Sequence, residues 1–583
     1  MTSSAVDNST IGTNIPPNSS MKNSSPITLS TDKPSDHGVD KIRASIVQDG
    51  SGSCNKYIIK LHNQNLPGTL DVQPENTTGF NFLGKCFPVD DAAADDTRSP
   101  SEISFDDIIW VGNKTAGTTC YTDHAEDSHG GEYRDELTDN EVAISYMIKS
   151  DSEIVPVTKT LIIDNLDMLP NDIIKKEAGR GDGTLDQPET NGSNEKLAQF
   201  MLSQAYSDPS FLQRRILILI NPNGGAGEAL KRFKKYIQPI LKAAHVQYEV
   251  METNYHYHCL DIVKDLDFSK YDIIACCSGD GIPHEVINGI YRRKDKVEIF
   301  NRIIVTQLPC GSGNAFSLTC HKTLSPSYAT LSLLKSAVIK MDLMAINQGH
   351  GEHAKYHLSF LSQTYGMIAD ADIGTEWMRR VGPVRFDLGV GYKVITQASY
   401  PCELFVKYHS EGVDEVVDHF KSQNKNSLSN DGHQVSEENF DFGLPSLNED
   451  VPSDWTKVED TNSLSVFYTG KMPYIAKDTQ FFPAALPNDG TMDLVVMHSD
   501  TSFLKKLEIL LSIDTGKHIF HKDTVYGKIT AYRLIPLKNN YISVDGESFP
   551  LEPIQAEVIP KVLNIISKDG NFMETVLHET TAN

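Results

Sequence analysis

Positive charge is the first thing this chain is short of. Its 53 Lys and Arg stand against 78 Asp and Glu, a formal net charge of −25 over 583 residues. A surface built to neutralise nucleic-acid phosphates needs the opposite balance, with Lys and Arg clustered, so nucleic acid is not expected as a partner. Cysteine is sparse and unpatterned. The nine cysteines show no repeated C-x-x-C spacing, and the adjacent Cys276 and Cys277 sit inside an apolar run, which suits a reducing compartment and no disulfide framework. Long hydrophobic stretches are missing too: no run approaches the ~18 to 20 apolar residues of a spanning helix. Met1-Thr-Ser-Ser-Ala has neither a basic nor an apolar leader character. The expectation is a cytoplasmic protein, soluble or peripherally attached to a membrane.

What is present falls into segments. Residues 1–53 are rich in Ser, Thr, Asn, Pro and Asp, with too few large apolar side chains to offset chain entropy, and read as a disordered tail. Residues 54–204 carry short apolar runs separated by polar turns and read as a small β module followed by a linker at about 175–200. From 212 to 345 the grammar becomes strand, helix, strand. Strand candidates lie at 216–220, 246–251, 272–277 and 302–307, with helices near 228–244, 257–266, 283–293 and 326–339. Repeated βα units imply a parallel sheet covered on both faces. From 346 to 575 strands and Gly or Pro turns dominate, interrupted at about 411–460 by an acidic, Ser- and Asn-rich insertion without clear periodicity. The fold class expected is α/β: a parallel nucleotide-binding domain followed by a mainly antiparallel β-sandwich domain, with a polar N-terminal extension.

Three loops concentrate the chemistry. Asn221-Pro-Asn-Gly-Gly-Ala-Gly227 directly follows an apolar strand and precedes a helix, where glycines let backbone N–H groups approach an anion and the helix N-terminus favours negative charge. It lacks the Gly-Lys-Ser/Thr ending of a Walker A loop, and standing alone it reads equally well as a plain turn. Ser278-Gly-Asp-Gly281 follows the next apolar strand, at the carboxyl edge of the sheet where open α/β folds bind ligands. Asp280 is thus a candidate general base for an attacking hydroxyl, the bland alternative being a helix cap. Leu308-Pro-Cys-Gly-Ser-Gly-Asn314 is a third such loop after a third strand.

Together N-P-x-G-G-x-G, S-G-D-G-x-x-x-E and L-P-x-G-S-G-N, in this order, resemble the diacylglycerol kinase catalytic domain superfamily, and most closely the sphingosine or sphingoid long-chain base kinases. The resemblance spans about residues 212 to 560. Ser278-Gly-Asp-Gly-Ile282 is similar to the sphingosine branch, where diacylglycerol and NAD kinases typically show Gly-Gly-Asp-Gly-Thr. It implies transfer of the ATP γ-phosphate to the primary hydroxyl of a sphingoid base, with Mg²⁺. Asp280 would be catalytic. Asn221, Pro222, Asn223, Gly224, Gly225, Thr253, Glu285, Gly311, Ser312, Gly313, Asn314, Arg379, Arg385, Asp545, Gly546 and Glu547 would form the nucleotide site. Ser278, Gly279, Asp280, Gly281 and Asp372 would meet the substrate, Asp372 facing its amine.

By the same resemblance the acidic turn Asp545-Gly-Glu547 would hold Mg²⁺ or its waters, since Mg²⁺ commonly keeps several waters beside carboxylates and phosphates. A β-turn accounts for Asp-Gly equally well, and Glu285 also suits a helix N-terminus. No side chain is assigned as a direct metal ligand. The rivals are a diacylglycerol or ceramide kinase and a non-catalytic lipid- or nucleotide-binding regulator.

Overall fold

The structure is a computed structural model. It describes residues 41–48, 57–62, 102–112, 141–150, 152–163, 192–224, 227–349, 355–374, 396–424 and 432–582. Gly225, Arg379 and Arg385 lie outside the described residues, as do 1–40 and 49–53 of the expected tail.

The chain first builds a six-stranded sheet from β1 (Lys41–Gln48), β2 (Tyr57–His62), β3 (Glu102–Ser104), β4 (Ile108–Gly112), β5 (Glu141–Ser150) and β6 (Glu153–Ile163), in spatial order 3-2-1-6-5-4. Two expectations are corrected here. β1 lies within the segment read as a disordered tail; its Ala44 and Ile46 supply the apolar face that the surrounding polar composition hides. The helix Gly192–Ala205 begins inside the expected linker, because Leu197, Phe200 and Met201 recur on one side and are buried.

The sheet does not stand apart as a separate module. Its core residues share one cluster with Ile216, Ile218 and Ile220 of the next domain. The Tyr206 hydroxyl donates to Ile109 O at 2.8 Å, Ile154 N donates to Ser327 Oγ at 2.9 Å, and Trp110 stacks on His245.

Next come four mutually parallel strands, β7 (Arg215–Ile220), β8 (Gln247–Glu252), β9 (Ile273–Ser278) and β10 (Ile304–Pro309), in spatial order 8-7-9-10. The central ones are buried along almost their whole length and mainly apolar, because both faces are covered. In β7, Ile216, Ile218 and Ile220 pack toward the N-terminal sheet, while Leu217 and Leu219 join the opposite cluster, as the two-residue repeat of a strand requires. Helices 229–243, His258–Asp265, Gly281–Tyr291, Lys296–Arg302, Ala315–His321 and Pro326–Lys335 cover the faces. Ser325 caps the last of these, accepting from Tyr328 N.

The remaining strands are β11 (Ala337–Gln348), β12 (Lys355–Ser359), β13 (Ser362–Gly366), β14 (Cys402–Glu411), β15 (Thr456–Lys457), β16 (Leu464–Gly470), β17 (Met492–His498), β18 (Thr524–Pro536), β19 (Ile542–Val544), β20 (Glu547–Phe549) and β21 (Ile554–Ser567). They are antiparallel among themselves, in the order 20-19-13-16-17-18-21, with β11 on β21, β12 on β11, and β14 bridging β18 and β15. β21 then pairs parallel with β10 at Ile304 and Asn564, so one continuous sheet joins the α/β and β-rich parts.

The insertion is also corrected. Val413–Asn424 is a helix whose acidic residues face out while Val416 and Phe420 are fully buried. Arg533 Nη1 binds the carbonyl of Glu449 at 2.6 Å, so the later part of the segment is tied to the sheet as well. Among the described residues no helix is long and apolar enough to cross a membrane.

Candidate active site

The switch in strand order falls between β7 and β9, since β8 lies on one side of β7 and β9 on the other. A crevice opens at such a point beyond the carboxyl ends of the strands. All four parallel strands deliver sequence-predicted residues there: Asn221 after β7, Thr253 after β8, Ser278 at the end of β9, and Gly311 after β10. Thr253 N donates to Ile220 O at 2.8 Å, which ties the β8 exit to the first loop.

That first loop is organised by its own groups. Asn221 O accepts from Gly224 N at 2.9 Å, and Asn221 Oδ1 accepts from Asn223 N at 3.0 Å. Pro222 continues the turn, and Asn223 is exposed. Gly227, at φ +82°, takes the left-handed conformation that glycine adopts without steric cost.

The second and third loops touch backbone to backbone. A Cβ on Gly311 would fall 2.1 Å from Gly279 N and 2.2 Å from Gly279 Cα, and one on Gly279 would fall 2.8 Å from Gly313 O. No other residue type fits at Gly311 or Gly279 without separating the loops. Asn314 locks the third loop from within: its Oδ1 accepts from Gly311 N at 3.1 Å and its Nδ2 donates to Gly311 O at 2.9 Å. Ser312 and Gly313 remain exposed above this contact. Ser278 is buried, and its hydroxyl donates to Gly279 O.

Asp280 sits at the first position of the crevice-facing turn, with Gly281 opening the helix behind it. Its carboxylate reaches across to the start of the helix Ala315–His321. Oδ2 accepts from Ala315 N at 3.0 Å, and Oδ1 accepts from Phe316 N and from Gln307 Nε2, each at 3.1 Å. The capping alternative is therefore true of Asp280, but at the N-terminus of a neighbouring helix. A carboxylate has about four acceptor positions, and three are taken, so Oδ2 retains one. Burial pushes the carboxyl above its ordinary range, opposed by the same N–H groups and the Gln307 amide. Gln307, a polar residue in the apolar run of β10, was not singled out from sequence. An amide inside the run Ile304-Val-Thr-Gln-Leu308, which otherwise reads as a buried strand, is the signal that could have marked it.

Asp545 needs correcting. It was expected to hold Mg²⁺ or its waters, but five protein donors occupy both oxygens: Ser359 Oγ at 2.6 Å, Leu361 N and Ser362 N at 3.0 Å, Phe360 N at 3.1 Å and His284 Nδ1 at 2.8 Å. Asp545 and Gly546 both have positive φ, +52° and +85°, forming the two-residue hairpin turn between β19 and β20 that favours Asp-Gly. The turn thus aims the Asp545 side chain inward, where it pins the β12 to β13 connection and, through His284, the helix that carries Asp280. Glu547 is the outward-facing carboxylate of the turn. Its Oε1 lies 3.2 Å from where a Cβ on Gly281 would sit, and Oε2 accepts from the Tyr257 hydroxyl at 3.3 Å.

Glu285 is 6% exposed and accepts from Cys259 N at 2.9 Å, so its carboxylate supports the start of the helix His258–Asp265. Among the described residues no group of three or more His, Cys, Asp or Glu is arranged to hold a metal. The acidic oxygens least committed at the crevice are Asp280 Oδ2 and, on Glu547, Oε1.

Asp372 ends the short helix Met367–Asp372 that follows β13. Ser543 Oγ donates to its Oδ2 at 3.4 Å. Asp372, Asp545 and Asp280 all lie within electrostatic reach of one phenol, that of Tyr468 on β16. Tyr468 and Ser362 were also missed from sequence, each lying in a strand where it reads as a core residue.

Residues 215–346 match the diacylglycerol kinase catalytic domain family, and 456–567 match the YegS C-terminal NAD kinase beta sandwich-like domain family. Among curated proteins, the chain is 41% identical over 432 residues to sphingoid long chain base kinase 5 of Saccharomyces cerevisiae; the alignment covers 65% of this chain and 63% of that protein. It is 33% identical to sphingoid long chain base kinase 4 of Schizosaccharomyces pombe, over 65% of this chain and 80% of the relative. Human sphingosine kinase 1 is 28% identical over 60% of this chain and 91% of its own length. With the touching loops at Gly279 and Gly311, the Asp280 crevice and the β-sandwich in place, these likenesses show that the chain belongs to the sphingoid long-chain base kinase family.

Proposed function

We propose that this protein transfers the γ-phosphate of ATP to the primary hydroxyl of a single-chain sphingoid base, giving its 1-phosphate and ADP. The observation that carries the reading is the uncommitted acceptor position of Asp280 Oδ2, held by three donors at the mouth between two touching glycine loops. The substrate oxygen forms its bond to the γ-phosphorus as the bond to the β-phosphate oxygen breaks, and the hydroxyl proton passes to Asp280. Little covalent work falls to the protein, so positioning and charge stabilisation dominate.

The exposed backbone of Ser312 and Gly313, together with Asn221 through Gly225, receives the phosphates. Arg379 and Arg385 would add positive charge to them, and Thr253 borders the nucleotide. Mg²⁺, bound chiefly through the triphosphate and water, would lie against Glu547 and supply neutralisation of developing charge. Asp372 faces the ammonium. A charge-assisted hydrogen bond of ~1.5 to 3 kcal/mol favours an amine-bearing lipid over diacylglycerol or ceramide, which carry no such cation.

Peripheral membrane contact from the cytoplasmic side, at endoplasmic reticulum, Golgi, endosome or plasma membrane, follows from an amphiphilic substrate. It is supported by the helix Phe503–Leu511, whose Leu504 and Leu511 are 75% and 68% exposed. A radiolabelled ATP assay with sphinganine, sphingosine, phytosphingosine, diacylglycerol and ceramide tests the reading. Incorporation into sphingoid bases alone is expected, and incorporation into diacylglycerol or ceramide instead would overturn it.

A further inference from the structure

Near Asp372 the sheet holds a hydrogen-bond donor that no role above consumes. Tyr468 pairs with Thr364 across β13 and β16, and Thr364 pairs with Ser543 across β13 and β19. Directly opposed residues share a face of a sheet, as do residues two apart on one strand. Ser362, Thr364, Tyr468 and Ser543 therefore form a polar strip on one face, each no more than 5% exposed. Ser543 touches Asp372 at one end of the strip, and the Ser362 hydroxyl donates to the Tyr468 hydroxyl at 3.4 Å at the other.

The ring of Tyr468 is fixed from behind by Phe481 and Phe482, with centroids 4.8 and 5.0 Å away. The phenol oxygen accepts from Ser362, and its own O–H meets no acceptor among the described residues. A buried donor left unspent is unfavourable, and a ligand oxygen would satisfy it.

We propose that Tyr468 is a substrate-contacting specificity residue whose O–H donates to the secondary hydroxyl oxygen, at C3, of the sphingoid base. The inference rests on the proposed function and extends it. In that head group the primary hydroxyl is the nucleophile, facing Asp280, and the ammonium, facing Asp372, has no lone pair to offer. The C3 oxygen is the remaining acceptor. Burial above all, and then the neighbouring carboxylates of Asp372, Asp545 and Asp280, disfavour ionisation of the phenol, so Tyr468 stays a neutral donor across the working pH range.

The test crosses one protein change with one ligand change: wild type and Tyr468→Phe, each assayed with sphinganine and with its 3-deoxy counterpart, 2-amino-1-octadecanol. A neutral hydrogen bond of ordinary strength corresponds to roughly a three- to tenfold effect. Wild type is expected to prefer sphinganine by that factor in kcat/KM, and Tyr468→Phe to lose most of the preference by slowing on sphinganine far more than on the 3-deoxy base. An equal loss on both substrates, or an unchanged preference in the variant, overturns the proposal while leaving the sphingoid-base reading intact. Absence of any sphingoid-base phosphorylation by wild type would instead overturn the reading on which it rests. A melting curve of the variant accompanies the kinetics, since removing one hydroxyl leaves the aromatic packing of Tyr468 in place.

Discussion

Gly311→Ala is the sharpest perturbation the structure offers. The added methyl carbon would lie 2.1 Å from Gly279 N and 2.2 Å from Gly279 Cα, where ordinary contact needs about 3.5 to 4 Å. Both neighbours are backbone, so no side-chain rotation relieves the overlap. The Gly311 loop must back away by about an ångström or more, and it cannot move alone. Asn314 is bonded to both Gly311 N and Gly311 O, and it directly precedes Ala315 and Phe316, whose N–H groups hold Asp280. The displacement therefore reaches the proposed base. A misplacement of about 1 Å costs on the order of 10² in rate, and overpacking costs ~1 to 3 kcal/mol of stability. Steady-state kinetics with varied ATP and varied sphinganine, beside a melting curve, read both quantities. Turnover near the wild-type value with an unchanged midpoint would refute the claim that contact between these loops sets the geometry of the site.

Asp280→Asn is expected to lower turnover by ~10² to 10⁴, the usual range for a lost general base; relief of a buried charge offsets a lost acceptor, so melting should change little, and near-normal turnover counts against the assignment. Asp372→Asn should weaken use of sphingoid bases roughly ten- to a hundredfold with little change in ATP affinity, and unchanged kcat/KM for the lipid removes Asp372 from amine recognition. Lys471 is fully buried and its ammonium contacts Asp342 at 2.7 Å and also Asp489; Lys471→Met leaves those carboxylates short of a partner and should cost about 3 to 5 kcal/mol, read by denaturant unfolding. Burial lowers His321 and His518 from 6.5 to about 4. The unfolded chain binds their protons first, so stability should fall as pH drops from about 6.5 toward 4, by on the order of 3 kcal/mol per histidine, and a flat melting profile across that window would contradict it. Deleting 412–449 should destabilise the protein, since it removes Val416 and Phe420 from the core and the Glu449 carbonyl from Arg533; an unchanged melting midpoint would refute this.

The βα register and the three loops were legible in the sequence because their signals are local. Apolar strands buried on both faces, such as Ile216 to Ile220, read as continuous runs. Glycines mark loops whose backbone has to come close to something, and a helix start such as Ser325-Pro326 is encoded in adjacent residues. What closes over longer distance was not legible. Asp545 lies 261 positions from His284, and its inward aim depends on a turn geometry and on the Ser359 to Ser362 connection meeting it there. The acidic stretch looked unpatterned because the apolar stripe of its helix, Val413, Val416, Val417 and Phe420, spans only two turns and is followed by a long polar and acidic run. Tyr468 resembles any core aromatic until β13 and β19 are set beside β16. Local backbone preference and hydrophobic period were determined by the sequence itself; which lone polar group meets which, and so which carboxylate stays open for chemistry, was decided only by tertiary packing.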